Sequence, residues 1–353
     1  MIDWKLVARI AGSVAGEREE LNYSGKDLGP LARDAEQRIL AYTGLKPEAP
    51  LPPPELVSRR GWIDANVATM RPIFADLEAH LPIGAFDATP IGRAARSSTR
   101  AVLSAQLGTL IGYLSQRVLG QYDIPLLDPH GEPRLLLVVP NLVSTATRLD
   151  ADRDDLLRWV TLHEVTHAVQ FGGVSWLRPL LASNLRQLLE ALELRLQTPP
   201  QLRLPSPVDL QALIASVRKG ELAMFAVGRE QRPLVEGLQA TMAVIEGHAE
   251  HVMDVVGEQV VPTLPQLRAG LEQRRSSRTT PLRLLEKIIG IELKLRQYRE
   301  GKHFCDTVVE RGGIVALDHV WSAQSALPTP EELRNPERWL ARTGASTVAR
   351  STS

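Results

Sequence analysis

The stretch that most restricts the fold is "TLHEVTHAVQFGG", Thr161 to Gly173, where two histidines stand four residues apart and a glutamate follows the first. Aspartates suited to a cap and first turn precede it in "RLDADRDD", and two glycines suited to a helix stop end it. With Val160, Val165, Ala168 and Val169 around the polar positions, the pattern predicts a helix from roughly Asp152 to Phe171. Residues four apart share one helix face, so His163 and His167 can aim their imidazole nitrogens at a single point. That is the geometry two ligands of one metal ion need.

Glu164 sits about 100° round the helix from His163, in reach of a metal-activated water without itself being a ligand. The arrangement is H-E-x-x-H, in which zinc and a carboxylate together make a hydroxide-like nucleophile. A catalytic zinc needs a third protein ligand and an open fourth position. The best supply is "MAVIEGHAEHVMD", Met242 to Asp254. There Glu246 and Glu250 share a helix face and Asp254 continues the stripe, so one carboxylate can bind the metal while the next orients a ligating histidine. His248 and His251 lie on other faces and are candidates for contacts to substrate or transition state, as is Tyr298.

The other segments bound the class. The 353 residues carry 41 basic and 41 acidic side chains, which argues against a chain held to nucleic acid or membrane by bulk charge. No run approaches the length needed to span a bilayer, and the start does not read as a signal peptide. Cys305 is the single cysteine, so no internal disulfide or thiolate zinc cage is available, and a reducing cytoplasm fits best. Its surroundings predict a buried, inert thiol. Arg93, Arg96 and Arg100, and Arg274, Arg275 and Arg278, lack interleaved aromatics and read as solvated surface.

Five prolines between Lys46 and Val57 predict a linker to about residue 57, following an N-terminal helical segment of residues 1–50. A main domain then spans residues 58–342, and 343–353 form a flexible tail. Helical periodicity marks "GWIDANVATMRPIFADLEAHL" and the segment from Arg96 to a stop at Gly120, where Gly108 and Gly112 predict close helix packing. It also marks Leu177–Gln197, Pro207–Phe225, Leu234–Gly257 and Thr280–Glu300. "EQRRSSRTT" reads as an exposed loop. The clearest strand is Leu135–Val139, ended by Pro140 and Asn141, and little else reads as strand. The fold class is therefore mainly α with a minor β component.

His163-Glu164-x-x-His167, followed by a helix bearing Glu246-Gly247-x-Ala249-Glu250, resembles the gluzincins, the zincin branch with a glutamate ligand. A more extended resemblance is to zincin-like proteins, mostly actinobacterial, labelled hydrolases or coenzyme F420 biosynthesis-associated proteins. It rests on "LGQYDIPLL", "LLLVVPNL", "WVTLHEVTHAVQF", "MAVIEGHAEHVMD", "KLRQYREGKHFCDTVVERGG" and "LPTPEELRNPERWLAR". The resemblance implies a zincin-like fold with a small sheet and extra helices. It implies one Zn2+ held by His163, His167 and Glu246, with Glu164 as general base and Glu250 orienting a ligand. The strand at Leu135–Val139 would then be the edge strand along the cleft. The expected activity is attack of an activated water on a peptide or small-molecule amide carbonyl. The alternatives are a non-peptidic hydrolase of cofactor metabolism and an inactive zinc-containing scaffold. Trp176 is expected to pack on the metal helix or to line a pocket.

Overall fold

Helix-forming periodicity dominates the chain, and the computed structural model is mainly α with one three-stranded sheet. It describes residues 2–16, 27–80, 90–128, 130–197, 231–276 and 291–345. The expected helix at Pro207–Phe225 and the tail beyond residue 345 lie outside these. So do the side chains of Arg93, Arg96, Arg274, Arg275, Arg278 and Tyr298.

The described chain packs as two compact units. The first comprises Met1–Ala35, Leu51–Ala168 and Glu193–Gln197, and the second Glu36–Pro50, Val169–Leu192 and Thr198–Ser353. In the first, α1 (Trp4–Ala15) starts where the Asp3 carboxylate accepts the Leu6 N–H at 3.0 Å. It lies on α4 (Pro90–Ser115) at the two small residues read from the sequence. A Cβ on Gly108 would come 2.8 Å from the Val7 carbonyl oxygen, and one on Gly112 would come 2.7 Å from that of Ala11. Backbones meet this closely only where no side chain intervenes. Helix α3 (Arg59–His80) adds Trp62 and Ile63 to the same core.

The proline-rich stretch is not a linker throughout, because Pro54–Val57 forms β1. It pairs parallel with β3 (Arg134–Val138), and β2 (Gly120–Asp123) pairs antiparallel on the other side. The order is therefore β1-β3-β2. This corrects two expectations. The apolar run from Leu135 is the central strand, which explains why Leu135 to Val138 are fully buried, and the edge beside it is β2. Gly120 opens that strand and does not close α4, which stops at Ser115. Val139 and Pro140 already belong to α5 (Val139–Leu149), proline being suited to the first helical turn because its missing N–H would have no partner there.

Helix α2 (Gly29–Thr43) and the long α6 (Arg153–Gly173) and α7 (Leu177–Gln197) each contribute to both units, the division falling inside them. In the second unit, α8 (Arg232–Val260) packs on α10 (Ile291–Asp318). The crossing is at Gly247 and Gly301, where a Cβ on either would collide with the other helix's backbone. Helix α9 (Leu264–Ser276) continues into the basic stretch expected to be a loop. A capping box of Thr329 and Glu332 starts α11 (Pro330–Arg334), and α12 (Pro336–Thr343) ends at Gly344 with φ +68°.

Candidate metal centre

Helix α6 begins where the Asp152 carboxylate accepts the N–H groups of Asp154 and Asp155, each at 2.9 Å. From that start, helical spacing lines up His163, His167 and Gln170 on one face. The Nε2 atoms of the two histidines face each other 3.2 Å apart, their rings nearly perpendicular at 85°. Two nitrogens on one tetrahedral zinc stand about 3.3 Å apart, given bonds of about 2.0–2.1 Å. The pair is thus spaced as ligands of one ion.

Gln170, which the sequence reading passed over, carries the next step. Its side-chain amide donates to the Ile245 carbonyl at 2.9 Å and meets Nδ1 of His248 at 2.9 Å. The last turn of α6 and the middle of α8 are joined in this way inside the second unit. Glu246 follows Ile245 directly. Donor atoms of His163, His167 and Glu246 all lie within 4.8 Å of one another, two imidazole nitrogens and one carboxylate oxygen. This donor set fits zinc. Glu250 lies one turn on from Glu246 along α8, half-buried.

Glu164 is buried, and β2 holds it. The Tyr122 N–H donates to its Oε2 at 2.8 Å, and Gly120 leaves the space its side chain fills. A Cβ on Gly120 would lie 2.7 Å from Glu164 Cγ and 2.9 Å from Oε1. The helix therefore supplies the carboxylate and the strand fixes it.

Two sequence candidates for contacts to substrate have other occupations. His248 is fully buried, bonded to Gln170 and edge-on to Trp321 at 5.3 Å. His251 uses both ring nitrogens within the second unit: Nε2 meets the Tyr42 hydroxyl at 2.7 Å, and Nδ1 meets Asp306 at 2.8 Å. Burial would raise the Asp306 pKa, but His251 and Lys302 outweigh it and hold the carboxyl below its ordinary value. With Asp306 ionised, the Nδ1–H of His251 donates to it. These histidines tie helices together. Trp176 likewise donates its indole N–H to the Trp321 carbonyl at 3.1 Å. Cys305 is buried, and desolvation pushes its thiol well above the usual range, consistent with the inert reading.

Across residues 2–340 this chain matches the model of the zincin-like metallopeptidase family. It belongs to that family. The family implies zinc, and the structure holds a His-His-Glu group that could bind a metal ion. Among solved structures, the chain is similar to a "putative hydrolase with a novel fold" from Chloroflexus aurantiacus. That protein is 28% identical, with a TM-score of 0.69, and the match covers 98% of this chain and 99% of that one. No curated protein matches the zincin-like chain.

Proposed function

We propose that the protein is a zinc-dependent hydrolase of peptide or small-molecule amide bonds, in which His163, His167 and Glu246 hold the metal and Glu164 is the general base. The observation that carries this is the convergence of three donors beside a carboxylate already fixed by a backbone N–H. Zinc bound there would polarise a substrate carbonyl and bring a water's pKa toward neutrality. Glu164 takes the released proton on Oε1, since Oε2 is engaged by Tyr122, and passes it to the leaving amine. Burial of Glu164 excludes competing water. Among the described residues β2 is an edge strand, which supports an extended amide substrate aligned beside it by main-chain hydrogen bonds. The use of a single, buried cysteine, Cys305, supports a reducing, cytoplasmic setting.

The test measures zinc by mass spectrometry and cleavage of a peptide library, on wild type and Glu164→Gln. About one zinc per chain in both, with hydrolysis only by wild type, is expected. No retained zinc after zinc is offered, or an undiminished rate in the variant, overturns the reading.

A further inference from the structure

The chain satisfies most of its described buried indoles. Trp62 donates to Gln121 Oε1 at 2.7 Å, Trp176 to the Trp321 carbonyl at 3.1 Å, and Trp339 to the Ala326 carbonyl at 2.6 Å. Trp159 and Trp321 differ, since each has a buried Nε1 with no hydrogen-bond partner. Their settings are unlike. Trp321 is 6% exposed and packs edge-on against His248, inside the second unit. Trp159 is half-buried and stands one turn before His163 on α6, with its ring plane within 17° of the imidazole and centroids 6.3 Å apart. It extends the ligand stripe of His163 and His167 toward the start of the helix.

A buried donor left unmade is costly, and such groups mark places where something else supplies the acceptor. An indole N–H is donor only, so its partner carries a lone pair. The stacked ring also shields one side of His163. We propose that Trp159 is a substrate-binding residue whose indole N–H takes an oxygen of the acyl or carboxylate group lying beside His163. This rests on the zinc-hydrolase reading for the nature of the substrate. It supplies a donor that His251 does not, since both His251 ring nitrogens are engaged within the protein.

The experiment uses the full chain, zinc-loaded, with nitrogen-15 in its tryptophans. The Trp159 indole resonance is assigned by its loss in Trp159→Phe, which keeps an aromatic ring and removes the donor. Acetohydroxamate presents an acyl oxygen and acetate a carboxylate; a downfield movement with either supports the proposal and identifies the acceptor. Trp159→Phe is expected to keep its zinc and thermal midpoint while binding the effective probe about tenfold more weakly. A resonance that neither probe moves, or equal affinity in the variant, overturns the proposal. If wild type holds no zinc, the same titration is run on the metal-free chain, where movement with acetate supports the donor and none overturns it. Absent hydrolysis with a moving resonance would sink the hydrolase reading and leave the Trp159 site standing.

Discussion

At position 120 a side chain has no room. A Cβ there would sit 2.8 Å from Val160 Cγ1 as well as against Glu164, so the strand and the Glu164 carboxylate approach only because the residue is glycine. The Tyr122 N–H bond that this approach allows is charge-assisted, a class contributing about 1.5–3 kcal/mol. Gly120→Ala is therefore expected to push the Glu164 carboxylate off its line while leaving His163, His167 and Glu246 in place. Displacement of a catalytic group on the scale of an ångström costs about 100-fold in rate. Kinetics on any cleaved peptide, with zinc content measured in parallel, checks this; a full rate in the variant would show that β2 does not aim the base. The sequence reading took Gly120 for a helix stop because glycine often ends helices. Its spatial role is invisible in sequence, since Gly120 and Glu164 lie far apart along the chain. His163, Glu164 and His167 were legible because their relation is local, written within one turn and a half of helix.

Among the elements, the glycines of α8 and α10 separate a local from a tertiary effect. Helix propensity alone makes alanine better than glycine by about 1 kcal/mol, so an exposed Gly301→Ala would stabilise the chain. Packing reverses the sign, because a Cβ at 301 collides with the backbone around Ala243. Overpacking against backbone that must move costs about 3 kcal/mol. Gly301→Ala is thus expected to lower the urea midpoint clearly, and a raised midpoint would mean the crossing is loose. The helical periodicity of α3, α4, α7 and α8 was readable from the sequence, as was the close packing at Gly108 and Gly112. The strand assignment was half readable. The apolar run at Leu135 announced β3, while β1 hid behind prolines and β2, at four residues, was too short to show alternation.

At the scale of the whole molecule, stability carries the imprint of one carboxyl. Asp318, at the end of α10, has a buried Oδ1 without a hydrogen-bond partner, and desolvation raises its pKa from 3.8 to about 7. Between those values the folded chain keeps a proton that the unfolded chain has released, so this group's contribution to stability declines as pH rises through the window. Asp318→Asn removes the titration. Relative to wild type, the variant is expected to gain thermal midpoint as pH goes from 4 to 8, with most of the gain in place above about 7. A difference that stays flat across that range would show that the carboxyl is solvated. No described helix is long and apolar enough to cross a membrane. What the sequence determined by itself was whatever a helix repeats within a few residues: the histidine pair of α6, the glutamate adjacent to it, and the glutamate helix that the resemblance singled out. Tertiary structure alone decided that Gln170 fixes α8, that β2 holds Glu164, and that His251 serves Tyr42 and Asp306. The physical reason is that such bonds are made between segments brought together by core packing, and a side chain's partner across that distance leaves no periodic mark on the chain that carries it.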